Sequence, residues 1–356
     1  MTRVWDVPVH DTTRLRDVRL AAEEACDHAG FGADRQAATV LVATELATNL
    51  LKHAGGGQIL LETPAAPDGA AEDGERAAVQ IVAIDHGPGI ADLSAALHDG
   101  FSTTASLGAG LGTCRRLADD FDLHSSPGRG TVALVRIGPS DARRRGERDR
   151  RALAPARAGG INIPLVESHS GDAWACVRSG ETLTLLLADG LGHGPRAAEA
   201  SDAAVRQLRR NPRLTAPELL AALHTALRDT RGAAVAVAQL DLAAGHLEFS
   251  GIGNIGARLR TGGGWHPLVS HPGIVGAHVP ARLPRRRLPW SPDCLLVLHS
   301  DGLPSRWSLR PEVPAATLDP GVTAALIVRD SSSSARPVRD DTTVAVLSPT
   351  PPNREP

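Results

Sequence analysis

The sequence predicts a two-domain α+β chain, and three observations carry that reading. The 356 residues suffice for about two domains of ~150 residues each, both long enough to bury a core. The first half shows two helical patterns followed by strands, whereas the second shows strand hairpins interleaved with helices. Between them, Arg143-Arg144-Arg145-Gly146-Glu147-Arg148-Asp149-Arg150-Arg151 holds no apolar side chain. The expected division is a first domain over 1–138, an Arg-rich linker over 139–159, a second domain over 160–348 and a disordered tail over 349–356.

In the first half, residues 12–29 read as a helix. Thr12 or Thr13 can cap it, Gly30 suits its far end, and Leu15, Val18, Ala22 and Cys26 recur at helical spacing. A second helix is expected over 34–53, stopped by Gly55-Gly56-Gly57. Strand 58–62, a polar loop over 64–75, a strand ending at Asp85, a helix over 111–121 and a closing strand over 130–137 follow. In the second half, 172–178 and 182–188 flank Ser179-Gly180-Glu181 as a hairpin. Helices are expected over 194–210 and 216–229, a second hairpin over 235–251, and buried strands over 294–299 and 342–347.

The formal net charge is −2, so no bulk attraction to nucleic acid or membrane is expected. The Arg-rich run reads as a solvated linker rather than an RNA-binding patch, because acids interrupt it and no aromatics interleave. Lys52 is the only lysine and tyrosine is absent, a compositional bias without functional content. Cys26, Cys114, Cys176 and Cys294 are scattered, which disfavours zinc or redox motifs and suits reduced thiols in a cytoplasmic protein. No signal-peptide core is present and no apolar run reaches the ~18 residues of a membrane span.

The most informative stretch is Asp85-His86-Gly87-Pro88-Gly89-Ile90, directly after the apolar run of residues 79–84. A strand ending in an acid and two spaced glycines can offer a carboxylate while letting the backbone approach closely. Alone this is common turn chemistry. Upstream, Glu45 and Asn49 stand at i and i+4, on one helix face. Asn49 can give an amide oxygen to Mg²⁺, and Glu45 can accept a proton from an attacking hydroxyl or water. A solvated helix face is the usual fate of such a pair. Downstream, Gly108, Gly110 and Gly112 lie at a helix start, where backbone N–H groups can meet phosphates; a plain flexible loop is the alternative.

The ordered triple is similar to the nucleotide site of the GHKL ATPases. In detail, Glu45-Leu46-Ala47-Thr48-Asn49, Asp85-His86-Gly87-Pro88-Gly89-Ile90, the run from Gly110-Leu111-Gly112 to Asp119-Asp120-Phe121, and Gly128-Arg129-Gly130-Thr131 resemble the bacterial switch-protein serine kinases of the RsbT type. The resemblance covers about residues 4–137. It implies a Bergerat-type α/β sandwich that binds ATP–Mg²⁺ and phosphorylates a serine or threonine on a STAS-domain protein. It also implies that Asp85 accepts from the adenine amino group, that Gly87 and Gly89 make room for the ring, and that Thr131 joins the cofactor contacts. Anti-sigma kinases of the RsbW type are near relatives.

In the second half, aspartates end or precede apolar runs: Asp172, Asp189 before Gly190, Asp301 before Gly302, and Asp340-Asp341. Strand ends can gather such acids, and clustered carboxylates repel unless cations neutralise them. A hard-oxygen set of this kind suits Mg²⁺ or Mn²⁺. Each Asp-Gly alone is more often a turn. Ala188-Asp189-Gly190-Leu191-Gly192-His193-Gly194, His299-Ser300-Asp301-Gly302-Leu303 and Arg339-Asp340-Asp341-Thr342-Thr343 resemble the SpoIIE/RsbX branch of the protein phosphatase 2C family. That resemblance covers about residues 160–348. It implies an αββα sandwich holding a Mn²⁺ or Mg²⁺ pair and removing phosphate from Ser or Thr. By it Asp189 bridges both metals, Gly190 gives a backbone carbonyl, Asp301 and Asp340 complete the second site, and Asp172 acts through a water. Many relatives carry another acid two residues after the first Asp; Asp172-Ala173-Trp174 has none. His193 reads either as a phosphate or proton contact or as a structural residue of a glycine turn.

The combined expectation is a bifunctional switch enzyme acting on STAS-domain antagonist or stressosome-type proteins in stress or sigma-factor signalling. The alternative is an ATP-dependent partner-binding domain that sequesters a sigma factor or other regulator, acts on another phosphatase, or gates an active phosphatase half.

Overall fold

The computed structural model describes residues 3–64, 78–96, 110–138, 155–165, 169–262, 264–283, 285–331 and 340–350. They fall into two compact units, the first ending after β5 and the second beginning before β6. The expected polar loop over 64–75, most of the linker and most of the tail lie outside the described residues.

The first unit is an antiparallel sheet with helices on one face. Its strands are β1 (Val4–Val9), β2 (Gly57–Glu62), β3 (Val79–Ile84), β4 (Asp120–Ser126) and β5 (Gly130–Ile137), in the order β1-β2-β3-β5-β4. Helices α1 (Arg14–Ala29) and α2 (Ala33–Asn49) lay Val18, Ala22, Cys26, Val42, Ala43 and Leu46 on Ile59, Leu61, Ile81 and Val135 of the sheet. α3 (Leu93–Ala96) is a single turn and α4 (Gly110–Leu117) packs by Cys114 into the same core.

Two local results differ from the sequence reading. Neither Thr12 nor Thr13 makes a side-chain cap to α1; the Thr13 hydroxyl donates to Asp11 Oδ1 instead. Gly30 does end the helix, at φ 68°, a conformation only glycine adopts freely. The helix expected over 111–121 stops at Leu117. Asp119 is drawn out of it to pair with Arg35 on α2 and to accept the Gly138 N–H at 2.8 Å. Asp120 then opens strand β4 with its carboxylate on Arg136 of β5 at 2.9 Å. After α2 the chain runs on as a π-helical turn, Leu50–Ala54, closed by Gly55 at φ 73°.

The second unit is a sandwich of two five-stranded sheets with helices outside. One sheet has the order β13-β10-β9-β8-β7 and the other β12-β11-β14-β15-β6. The strands are β6 (Ala156–Ile163), β7 (Asp172–Ser179), β8 (Thr182–Gly190), β9 (Ala233–Asp241), β10 (His246–Ile252), β11 (Gly256–Thr261), β12 (Gly264–Leu268), β13 (Arg286–Pro289), β14 (Leu295–His299) and β15 (Thr342–Pro349). The helices are α5 (Pro195–Arg210), α6 (Ala216–Ala226) and α7 (Pro320–Ser331).

Strand β8 shows why this makes four layers. Leu183, Leu185 and Leu187 enter the core between the sheets, where Leu296, Leu298 and Leu347 meet them. The alternate residues Leu186 and Ala188 lie under α5 and α6 against Ala200, Ala204 and Leu220. Burial on both faces explains why β8 is a continuous apolar run rather than an alternating one. The linker was expected to reach residue 159, but β6 begins at Ala156 and pairs with β15 from there.

Candidate functional sites

In the first unit, α2 carries Glu45 and Asn49 one turn apart, both half-buried. A Cβ on Gly110 would lie 3.4 Å from both terminal atoms of Asn49, so the start of α4 abuts the end of α2. Cys114, one turn into α4, faces the same place: burial first, then the Glu45 carboxylate, pushes its thiol up to about 12. Glu45, Asn49 and Gly110 are therefore brought together, and Gly112 follows in the first turn of α4. Gly108 lies outside the described residues.

Asp85 follows β3 and is buried. Its N–H donates to Thr131 O at 3.0 Å, and its Oδ1 accepts the Gly87 N–H at 2.8 Å. The loop after it is tied to the β4–β5 hairpin. Gly128 N–H donates to Pro88 O at 2.7 Å, Ile90 N–H to Ser125 Oγ at 2.8 Å, and Ser125 Oγ lies 2.9 Å from Thr131 Oγ1.

The glycines have an internal reason for being glycine. A Cβ on Gly87 would meet Ala54 at 2.6 Å, and one on Gly89 would meet Ser126 O at 2.3 Å. Gly130, at φ 92°, would meet Asp85 O at 2.1 Å. The missing side chains of Gly87 and Gly89 make room for the chain itself. That close packing fixes where Asp85 sits.

In the second unit, Asp172 at the start of β7 stands opposite Asp189 at the end of β8. Burial first, then the Asp189 carboxylate, raises Asp172 well above the usual carboxylate range. Burial, then Asp301, Asp340 and Asp341, pushes Asp189 up to about 7. Burial and Asp340 raise Asp301, while an Asn254 hydrogen bond at 2.7 Å works against them. Asp189 is therefore the acid that feels Asp301 and Asp340 on one side and presses on Asp172 on the other. Gly190 is held tightly: its N–H donates to Gly171 O at 3.0 Å, and a Cβ would lie 2.1 Å from Ala197 O. His193 lies in the exposed turn before α5, between Gly192 at φ 85° and Gly194 at φ 75°.

Three residues outside the expected ligand set contribute. Asp341 is buried and accepts from Leu165 N–H at 2.7 Å and Gly171 N–H at 2.6 Å, so it anchors the loop before β7. Ser300 ties the β14 end to β15, accepting from Thr343 N–H at 2.9 Å. Asn254 reaches Asp301 from the β10–β11 turn. Only Asp341 left a sequence signal, as the second acid of an Asp-Asp pair.

The chemistry of the donors, all carboxylates, suits a divalent cation. Asp172 Oδ2 is buried without a hydrogen-bond partner among the described residues, and an orphaned carboxylate oxygen is costly unless something positive completes it. Among the described residues no group of three or more His, Cys, Asp or Glu side chains is arranged so that it could hold a metal ion. The acids nonetheless offer only oxygen donors, the chemistry that suits Mg²⁺-like ions, which retain waters.

Residues 9–136 match the histidine kinase-like ATPase domain model. Over 102 residues, 29% of this chain and 71% of the relative, the sequence is 43% identical to the serine/threonine-protein kinase RsbT of Bacillus subtilis (strain 168). The chain belongs to the RsbT kinase family. Beyond the RsbT-type half, residues 179–349 match the Stage II sporulation protein E (SpoIIE) model. This RsbT-family chain is an enzyme with a serine/threonine-kinase-type half and a SpoIIE-type serine/threonine-phosphatase half. The two domain types imply use of ATP and of a divalent metal.

Among solved structures, the PP2C phosphatase domain with a regulatory-domain fragment of SpoIIE from Bacillus subtilis is 16% identical, with 96% of this chain and 97% of that chain covered and a TM-score of 0.47. The RsbU and RsbW domains of a Mycobacterium tuberculosis protein are 19% identical, with 56% and 62% covered and a TM-score of 0.47. No helix among the described residues is long and apolar enough to cross a membrane.

Proposed function

We propose that this chain both phosphorylates and dephosphorylates STAS-domain partner proteins. One observation carries the forward half: Asn49 meets the start of α4 at Gly110 with Glu45 one turn behind it. Asn49 would give its amide oxygen to Mg²⁺, the α4 N-terminus would face phosphate, and Asp85 would accept from adenine. Thr131, whose carbonyl takes the Asp85 N–H, and Gly112, in the first turn of α4, would add the remaining cofactor contacts. Glu45 would take the proton of the attacking serine hydroxyl as its oxygen bonds to the γ-phosphorus of ATP and ADP leaves. A domain that only sequesters a regulator needs no base there, so Glu45 favours chemistry over the binding-only reading.

For the reverse half, Asp189, the Gly190 carbonyl, Asp301 and Asp340 would hold Mn²⁺ or Mg²⁺, with Asp172 acting through a water. Such a pair, when bound, supplies an activated water and charge neutralisation for in-line attack on a phosphoserine. The chain's own part is to hold the acids at strand ends and to keep Asp172 buried. Fusing the two sites makes an encounter at the second intramolecular once a partner is held at the first.

Incubating the purified protein with candidate STAS proteins and labelled ATP, with and without Mn²⁺, tests the reading. Label should enter serine or threonine and leave when Mn²⁺ is added. Binding of a sigma factor with ATP, and no label on any STAS protein, would favour sequestration.

A further inference from the structure

Asn254 is the middle of the three residues between β10 and β11, and its Nδ2 donates to Asp301 Oδ2 at 2.7 Å. The amide is exposed, so no burial requirement holds it there. Its turn is nonetheless fixed. Gly253 has φ 94°, its N–H donates to His271 O at 2.8 Å, and a Cβ on it would meet Ala234 Cβ at 2.4 Å. From β11, which follows the turn, Arg258 grips the chain beyond Asp301. It donates to Ser305 O at 2.5 Å and Trp307 O at 3.1 Å, with its guanidinium 4.6 Å over the Trp307 ring. The segment carrying Asp301 is therefore held by β11 and its preceding turn, side chain at one end and backbone at the other.

We propose that Asn254 is a positioning residue for Asp301. The Asp340 carboxylate repels Asp301, which favours rotation of the Asp301 carboxylate away from the acid cluster. By occupying Oδ2, the Asn254 amide fixes that rotation and leaves Oδ1 as the oxygen offered to a cation. Groups that orient a metal-binding carboxylate in this way commonly change metal affinity by 10–100-fold. The inference rests on the phosphatase reading above.

The test uses the full chain, Mn²⁺ alone as probe, and Asn254→Ala beside wild type. Free Mn²⁺ is read by electron paramagnetic resonance, hydrolysis of a phosphoserine peptide is followed against Mn²⁺, and melting is recorded without metal. The expected result is Mn²⁺ binding weakened roughly 10–100-fold, metal-free melting unchanged, and the wild-type rate regained at saturating Mn²⁺. Wild-type Mn²⁺ affinity in the variant overturns the proposal. So does a rate deficit that persists at saturating Mn²⁺, or a lowered metal-free melting temperature, which would assign Asn254 to the fold. If wild type itself binds no Mn²⁺, the phosphatase reading fails first, and that outcome is separate from the others.

Discussion

Asp172 and Asp189 face each other across the β7–β8 ladder, two carboxylates in register at the end of a buried hairpin. Strands at that position normally carry apolar or neutral pairs, because like charges directly opposite destabilise a sheet. Here burial and the neighbouring acids raise both groups, Asp189 to about 7. The protein thus maintains an electrostatic cost at one end of its second sandwich. Raised acids gathered at strand ends are a recurrent mark of functional sites.

That cost has a pH signature. Asp189 binds its proton more tightly folded, at about 7, than at the ordinary value of 3.8. Its contribution to stability is therefore fully present below about pH 4 and is lost as pH rises through 7. Metal-free Asp189→Asn, which carries no charge there, should melt above wild type at pH 8, by at least the roughly 2–4 °C that about 1 kcal/mol gives. The gap should close near pH 4. Scanning calorimetry in chelator checks this; a variant that melts lower at pH 8 would contradict it.

The Gly130 contact with Asp85 predicts a coupled defect in the first domain. Gly130→Ala forces a Cβ to 2.1 Å from Asp85 O at φ 92°, where strain alone costs about 1–3 kcal/mol. The variant should melt lower and bind ATP more weakly, because the displaced group is the one assigned to adenine. Wild-type ATP affinity by calorimetry would detach Asp85 from the nucleotide.

Asp85→Asn tests that assignment without strain. A hydrogen bond to a charged acceptor is worth about 1.5–3 kcal/mol, so ATP binding should weaken roughly tenfold or more by that magnitude. The Asn side chain can still accept the Gly87 N–H, so the melting temperature should move little. Unchanged nucleotide affinity would remove the adenine contact.

Much of the fold was legible because local and tertiary signals agree. The β7–β8 hairpin shows in its apolar run and in Gly180, which turns at φ 60°. β1 was hidden by Pro8, tolerated because β1 is an edge strand. β6 was hidden by Gly159 and Gly160. Their Cβ positions would strike Gly321 N at 2.6 Å and Val344 O at 2.6 Å, so those glycines serve packing rather than a turn. The false end of the helix expected over 111–121 came from Asp119, whose partner Arg35 is 84 residues away.

The candidate sites divide in the same way. Asp189 and Asp301 announce themselves as acids before glycine, with Gly190 and Gly302 packed hard against neighbours. Asn254 does not, because its contact spans 47 residues and its own surroundings look like any Gly-Asn turn. Asp341 reads like a twin of Asp340, yet the structure separates them: Asp341 is buried and spends both oxygens on backbone N–H groups, whereas Asp340 is exposed.

If one chain carries two opposed activities, both set the steady-state phosphorylation of a STAS partner. Wild type, Glu45→Ala and Asp301→Asn are each incubated with the partner, ATP and Mn²⁺, and the phosphorylated fraction is read by mass spectrometry. Glu45→Ala should leave the partner unphosphorylated, and Asp301→Asn should leave it more phosphorylated than wild type at the same ATP concentration. Phosphorylation persisting in Glu45→Ala would remove Glu45 as the base, and an unchanged fraction in Asp301→Asn would leave the second half without phosphatase activity on that partner.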